Sequence, residues 1–386
     1  MHLTRLYLRN FRNYDEALVS FSPSVNLITG GNAQGKTNLL EALYFLSTGR
    51  SFRTARLEHL IRSGASFFYL EAHGIKQGVS HVIKATFDGQ TRKVHHNGTT
   101  YASFAYLIGI LPSVLHAPED AALIAGAPQE RRKFLDIALS QSDPLYLERL
   151  SRFHKAMRQR NLLLKEQKES LLSSWEEPMA EAAAYVATKR RELTSALASH
   201  LQASMRALSS GKELLEASYQ SSLPSEEPDP AAFYLRQFHR QRPRELALGV
   251  TVTGPHRDDL LLTLDQRDAR LFSSEGQKRC AVAALRLAEW KRQEGRLGFS
   301  PLLFIDDFGI HLDRERSLLL QQQLAGLGQV FLTSPRFLEH ALSKPHLLHV
   351  AQGTVTPGGA DTPDPEETAS RQAPSPVFSD RIDRSS

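Results

Sequence analysis

The chain has 386 residues of ordinary globular composition, 41% hydrophobic and 23% charged, so core size is no constraint and two domains or lobes are expected. Its single cysteine, Cys280, excludes an intrachain disulfide and points to a reducing compartment; within an apolar helical stretch it reads as a small buried hydrophobe. The net charge of +5 is uneven, because six acids face three arginines from Gln352 onward and leave a body of about +8 that suits an anionic partner. No run approaches the length of a membrane span, and residues 1–14 contain no continuous apolar region of a signal peptide, so a cytoplasmic protein without a membrane partner is expected.

In chain order, Leu3, Leu6 and Leu8 suggest a first strand, Val25 to Thr29 another, and residues 67–73 and 80–87 later ones. Asp88-Gly89 and Asn97-Gly98 are dipeptides that tight hairpins favour, because both central residues of a type I′ turn need positive φ, so a meander is expected. Between the Val25 run and an apolar helical segment, 38–46, stands Gly30-Gly31-Asn32-Ala33-Gln34-Gly35-Lys36-Thr37. Its spacing G-x-x-x-x-G-K-[ST] is that of a phosphate-binding loop, in the strand-to-helix context the motif requires. Glycines let the backbone wrap an anion, and loop N–H groups plus the helix N-terminus supply positive charge. Lys36 would reach the β- and γ-phosphates of ATP, and the Thr37 hydroxyl would join the shell of a Mg2+ ion. Further on, Arg50, Arg53, Arg56 and Arg62 surround Phe52, which reads either as a grip on a phosphate backbone or as a solvated face. Residues 1–125 are therefore taken as the β-rich N-terminal part of an ATPase lobe.

From about residue 129 to 211 the apolar period becomes helical. Tyr146, Leu150, Phe153, Met157 and Leu164 form one series, and Leu193, Leu197, Leu201, Met205 and Leu208 another, implying two long amphipathic helices flanking a polar stretch near 166–177. Lys155, Arg158, Arg160, Lys189, Arg190 and Arg191 are placed on their outer faces, where they either solubilise the helices or contact DNA. Residues 126–245 are expected to form a helical insertion, or arm, with a loop at 224–230. Strand character returns at 248–253 and 260–264, on either side of Gly254-Pro255-His256-Arg257-Asp258-Asp259. A long helix from Glu275 to about Gln293, a strand at Leu302–Ile305, a helix at 313–324 and a strand at 329–333 give the alternation of a parallel α/β sheet, so 246–351 is the C-terminal part of the head. Residues 352–386, rich in Pro, Thr, Ser, Gly and Asp, read as a disordered tail.

A phosphate loop needs a metal-binding acid on a neighbouring strand. Asp306 ends the apolar run Leu302–Ile305, which would deliver its carboxylate to the C-terminal edge of the sheet. Asp307 would orient or deprotonate an attacking water. Lys36 and Asp306 lie 270 residues apart, too far for one compact kinase domain, so something large is inserted between them. Ser273-Ser274-Glu275-Gly276-Gln277 opens the long helix with a serine cap, which is either an ordinary capped start or a shape suited to phosphate.

Taken together these motifs resemble the ABC-type ATPase heads of the SMC superfamily and, within it, the RecF family of bacterial recombination mediators. The residues that carry the resemblance are Asn10-Phe11-Arg12-Asn13-Tyr14, the loop through Thr37 with Asn38 and Glu41, Arg50-Ser51-Phe52-Arg53, Pro118-Glu119-Asp120, Arg131 to Asp136, Arg160-Asn161, the Gly254 turn, Glu275-Gly276-Gln277 and Asp306-Asp307. They run in family order over residues 1 to about 335. The resemblance implies an α/β P-loop NTPase head of two lobes with a helical arm, a weak DNA-dependent ATPase, and ATP with Mg2+ sandwiched between two subunits. Ser274, with Gly276 and Gln277, would close on the γ-phosphate held by a second subunit. Arg12 and Asn13 would lie near the nucleotide, Asp313 would be the interface aspartate, and Thr333 or Ser334 would sit at the switch position. Implied partners are duplex and gapped DNA, a second copy of the chain, RecR, RecO and RecA. Ile310-His311 stand where the family has Ser-Glu before Leu312-Asp313, no glutamine is assigned to the loop between lobes, and the acidic tail has no counterpart. An ABC-type subunit coupled to a membrane transporter shares the ATP sandwich and is the alternative, although the helical segment is longer than such coupling needs.

Overall fold

The computed structural model describes residues 1–309, 313–335 and 345–358. Strand β1 (His2–Phe11) turns back into β2 (Tyr14–Ser20), and β3 (Val25–Thr29) leads through the glycine-rich loop into helix α1 (Lys36–Thr48). Then come β4 (Phe68–Lys76), β5 (Val79–Phe87), β6 (Arg92–His96), β7 (Thr99–Tyr101), β8 (Ser113–His116) and helices α2 (Ala121–Ala125), α3 (Pro128–Ser140), α4 (Pro144–Lys165) and α5 (Ser173–Leu208). The chain continues through β9 (Leu215–Gln220), α6 (Pro230–Leu248), β10 (Asp259–Leu264), β11 (Arg267–Asp268), α7 (Ala269–Phe272) and α8 (Glu275–Leu297). It ends with β12 (Leu302–Ile305), α9 (Arg314–Leu324), β13 (Val330–Ser334), β14 (His346–Ala351) and β15 (Thr354–Pro357).

The strands form an antiparallel sheet ordered β2-β1-β4-β5-β6-β7, a small sheet β11-β10-β9, and a central sheet β15-β14-β3-β13-β12-β8. In the central sheet all pairings are parallel except β14 with β15. Strand alternation splits its side chains between two cores. Leu302, Phe304 and Phe331 face α1 and the antiparallel sheet, whereas Leu303, Ile305, Val330 and Leu332 face α3, α5 and α8. A central sheet covered on both faces is why Leu302–Ile305 reads as an unbroken apolar run. The odd spacing of Leu3, Leu6 and Leu8 has a local cause: the register of β1 against β4 shifts between Leu3 and Arg5, so all three leucines point inward despite a step of three.

The arm is α4, α5 and α6, with its own core of Phe153, Met179, Ala183, Tyr234 and Phe238. At its root Arg160 is fully buried between Glu176 (2.9 Å) and Glu245 (2.6 Å), while its remaining Nη donates to Thr251 Oγ1 at 2.9 Å. Asn161 accepts from both the backbone N and the hydroxyl of Thr251. The Arg160-Asn161 pair therefore fastens three helices to the returning chain, and Arg160 is not on the outer face where sequence periodicity put it. Arg190 is likewise buried, held by Asp136 at 2.7 Å.

Three expectations about elements change. Residues 248–253 are not a strand: α6 runs to Leu248 and ends at Gly249, whose φ of 68° caps it, and Thr251 bonds to Asn161 rather than to a ladder. The alternation of Val250 and Val252 imitates a strand, but both side chains line a loop. The β5–β6 connection is a four-residue loop in which Asp88 Oδ1 accepts from the backbone N of Gln90 and Thr91, and of the two dipeptides Asn97-Gly98 alone has positive φ at both positions, 48° and 85°. Within the stretch assigned to a disordered tail, Thr354–Pro357 pairs with β14, from Leu348↔Pro357 to Ala351↔Thr354. The rest of that stretch, 359–386, and Ile310-His311-Leu312 lie outside the described residues. No described helix is long and apolar enough to cross a membrane.

Candidate functional site

Five parallel strands end at one edge of the central sheet, where ligands bind in folds of this kind. There β3 opens into the Gly30 loop, β12 into Asp306-Asp307, β13 into Thr333-Ser334, β8 into His116 and β14 into Gln352. The loop is shaped for an anion. Gly30 and Gly35 take φ of 143° and 120°; a Cβ would stand 2.1 Å from Val350 O at the first and 2.8 Å from both polar atoms of the Asn13 side chain at the second. The backbone N–H groups of Gly31, Asn32, Ala33, Gln34 and Gly35 donate no hydrogen bond among the described residues. Gly31, Asn32 and Ala33 are exposed, so no side chain covers them. Lys36 is folded over the loop, its Nζ donating to the carbonyls of Gly30 (2.7 Å) and Gly31 (2.8 Å). Burial lowers its pKa, and the charges of Asp307 and Asp306 act in the opposite sense. These groups fit a nucleotide phosphate chain.

The acids also meet the loop. Thr37 Oγ1 donates to Asp306 Oδ1 at 2.9 Å, and Thr333 Oγ1 donates to the same oxygen at 2.6 Å. Burial raises the Asp306 carboxyl to about 6, opposed by the Thr333 and Thr37 hydroxyls and reinforced by Asp307. A hydroxyl and a buried carboxylate oxygen facing each other are hard donors that suit Mg2+. Asp307 takes φ 54° and its backbone N donates to Thr333 Oγ1 at 2.8 Å, so one fully buried threonine orients both acids. Thr333 acts through the acid pair, and its side chain does not open onto the loop.

Sequence reasoning missed most of what braces the loop. The motif Asn10 to Tyr14 is the β1–β2 hairpin, with Phe11 paired to Tyr14 and Arg12-Asn13 at its tip. That tip brings Asn13 Nδ2 to Gln34 O (2.8 Å) and Tyr14 OH to Gly35 O (2.9 Å), while Asn38 Nδ2 donates to Asn13 Oδ1 (2.8 Å). From the other side, the β14–β15 turn donates Gln352 N to Gln34 Oε1 (2.7 Å) and Gly353 N to Gln34 O (3.1 Å). Gly353 was hidden in the Pro- and Ser-rich composition that follows it. Arg12, expected near the nucleotide, gives both arms of its guanidinium to Glu41, at 2.8 and 2.7 Å, and Nη1 to His59 O. Glu41 is completely buried and also accepts from Ser51, with Arg53 at 3.8 Å, so Arg12, Ser51 and Arg53 form one knot beneath the loop.

Ser274, Gly276, Gln277 and Asp313 form a separate cluster. Ser274 Oγ accepts from Gln277 N at 3.3 Å and Gln277 Oε1 accepts from Ser274 N at 2.9 Å, a reciprocal capping box. The helix start is therefore partly self-satisfied within the single chain. Gln277 Nε2 donates to Glu213 at 3.0 Å, Glu213 also holds Arg316, and Asp313 caps α9 while lying 3.6 Å from Arg316. Ser274 and Asp313 are exposed, and the described residues show no hydrogen bond from this cluster to the Gly30 loop.

The loop after β8 carries Glu119, whose charge reaches Asp306. Its neighbour Asp120 is clamped by Arg286 of α8, at 3.0 and 2.6 Å, so the helix that begins at Ser274 also fixes this loop.

Residues 2–344 match the RecF/RecN/SMC N terminal domain family. The chain is 43% identical over 345 residues to the DNA replication and repair protein RecF of Protochlamydia amoebophila, covering 88% of this chain and 96% of that one. It is similar to a solved structure of the recombination mediator protein RecF with ATP in the RecFOR pathway, with a TM-score of 0.85, 29% identity and coverage of 93% and 98%. The Smc head domain of Pyrococcus furiosus, 17% identical with a TM-score of 0.54 and coverage of 92% and 95%, shares the fold. With its two-core α/β head and helical arm, the chain belongs to the RecF family, within the RecF/RecN/SMC N-terminal domain class.

Proposed function

We propose that this chain is an ATP-driven DNA clamp of recombinational repair, a cytoplasmic protein that dimerises around two ATP molecules and hydrolyses them slowly. The observation that supports the reading is that the Gly30 loop and the Ser274 helix start lie apart in one chain. The Gly30 loop has five amides with no partner among the described residues, and the acid pair, whereas the exposed Ser274 helix start lies in another hydrogen-bonded cluster. A second copy would bring the two together. In this reading residues 1–125 and 246–351 make the head and 126–245 the arm.

Within the site, Lys36 releases the Gly30 and Gly31 carbonyls and moves onto the β- and γ-phosphates, while the loop amides hold their oxygens. Mg2+, when bound at Thr37 and Asp306, neutralises phosphate charge. Asp307, held in place by Thr333, takes the proton of the water that attacks the γ-phosphorus as ADP leaves. Ser274, Gly276 and Gln277 of the partner subunit close on the γ-phosphate. The basic body supports duplex and single-strand/duplex junction DNA as partner. The similarity to a mediator of the RecFOR pathway supports RecR and RecO as protein partners in loading RecA. The test is ATP turnover with and without gapped duplex DNA. Stimulation by the gapped duplex is expected, and turnover indifferent to DNA at every concentration would contradict the clamp.

A further inference from the structure

The turn Gly254 to Asp259 joins the arm to the small sheet, and all of its polar side chains but one are engaged inside the protein. Pro255 O accepts from Arg190 Nη1 at 2.6 Å, and His256 Nε2 meets Thr251 O at 3.1 Å with its ring against Phe153. Asp258 accepts from Tyr219 OH at 2.6 Å and Ser221 Oγ at 2.8 Å, and Asp259 receives both arms of Arg131 at 2.8 Å. Arg257 alone is exposed, and among the described residues its side chain makes one long hydrogen bond, of 3.4 Å to Thr251 O.

Arg257 stands between two adjoining cavities of about 470 and 290 Å³ that share Val252 and Thr253. The larger adds Gln241 and Arg244 from α6, and the smaller adds Ser221 and Ser222. Among the described residues neither Arg244 nor Arg257 has an ion pair, and neither does Arg240, one turn earlier on the same exposed face of α6. The one acid in the lining, Asp258, is buried and already satisfied by two hydroxyls. Neighbouring arginines are felt here as well: burial lowers the pKa of His256, with Arg257 and Arg132 adding to it against the hydrogen bond to Thr251, and burial lowers that of His154, with Arg190, Arg158 and Arg50 adding to it against Asp136. Unpaired guanidinium groups that hold no part of the fold, set around a concavity with hydroxyl and amide donors, match the oxygens of a phosphodiester.

We infer that this cavity at the root of the arm seats backbone phosphates of duplex DNA, with Arg244 and Arg257 as the phosphate ligands and Arg240 extending the track along α6. The inference rests on the DNA reading above and locates a contact surface at the junction of arm and head. Both arginines are exposed, so their replacement leaves the fold intact. The experiment is fluorescence anisotropy of a labelled duplex, with ATP and Mg2+ present, between about 50 and about 200 mM salt, where phosphate contacts dominate the salt dependence. The chains compared are the native one, R244Q/R257Q, and R267Q on the exposed strand β11 as a charge control. Loss of two phosphate contacts lowers the magnitude of the slope of log affinity against log salt by about 1.8 and weakens binding roughly tenfold at low salt. R267Q should behave as the native chain, and ATP affinity should be equal in all three. If the native chain binds duplex DNA and R244Q/R257Q keeps its slope and affinity, or if R267Q loses as much as R244Q/R257Q, the site is wrong while the clamp reading stands. If the native chain binds no duplex at any salt, the DNA reading fails and takes this site with it.

Discussion

Arg12 joins β1 to the helix behind the phosphate loop through a carboxylate with no access to water. Its Nε and Nη2 meet the two oxygens of Glu41 at 2.8 and 2.7 Å, and Nη1 reaches His59 O at 2.9 Å. Arg12→Ala leaves Glu41, 0% exposed, as a buried charge. Removing one partner of a buried pair costs about 3–5 kcal/mol. Ser51 still donates to Glu41 and Arg53 remains 3.8 Å away, itself 40% exposed, so the lower end, about 3 kcal/mol, is expected. With a urea slope of about 1–3 kcal/mol per molar, the denaturation midpoint should fall by about 1 M or more. Replacing both residues, Arg12→Leu with Glu41→Leu, should recover much of the loss, because no charge is then stranded. Binding of a fluorescent ATP analogue to the folded fraction should change by less than about threefold, well under the 1.4 kcal/mol of a tenfold change. A loss below about 1 kcal/mol in stability together with a fall of more than about tenfold in ATP affinity would show instead that the guanidinium serves the nucleotide.

Lys36→Ala should abolish ATP binding, whereas Asp307→Asn should bind ATP normally and lose about 10²–10⁴ in turnover, the usual contribution of a positioned base; an active Asp307→Asn chain would remove Asp307 from that role. Arg160→Ala leaves the fully buried Glu245 with no ion-pair partner among the described residues, while Glu176 keeps Arg242 at 2.6 Å, and should cost about 3 kcal/mol, with hydrogen exchange rising across α4, α5 and α6; unchanged protection in the arm would refute the tie drawn around Arg160. Burial holds His256 at about 4, below its ordinary value of about 6.5, so the unfolded chain binds the proton more readily. Its contribution to stability is full above about pH 6.5 and is lost as pH falls toward about 4, by up to ~3 kcal/mol. His256→Phe should flatten the stability profile in that window relative to the native chain, and parallel profiles would contradict the burial argument.

What the sequence made legible follows its periodicities. The Gly30 loop, the apolar strand before Asp306 and the helix from Glu275 are short-range patterns with one physical solution each, and all appear in the structure. Charges were less legible because periodicity cannot see a third helix. Arg160 lies in a polar run, Arg158 to Asn161, and Arg190 between Lys189 and Arg191, yet α6 and the Gly254 turn close over them. The brace on Gln34 was invisible for a similar reason. Composition after Gln352 is that of a tail, but a two-residue turn with φ of 47° and 75° needs only Gln352 and Gly353 to fold back onto the loop. The Val250 and Val252 alternation failed because a single glycine cap redirected the chain before any partner strand was available.

The division of the nucleotide site between two subunits is tested most directly by the mass of the particle in solution. Light scattering of the native chain with saturating ATP and Mg2+ should show a dimer that is absent without nucleotide. Ser274→Arg places a bulky cation at the exposed helix start, remote from the hydrogen bonds of the Gly30 loop, and should bind ATP with native affinity yet remain a monomer. A Ser274→Arg chain that dimerises with ATP as the native one does, or a native chain that stays monomeric at saturating ATP, would contradict the shared site.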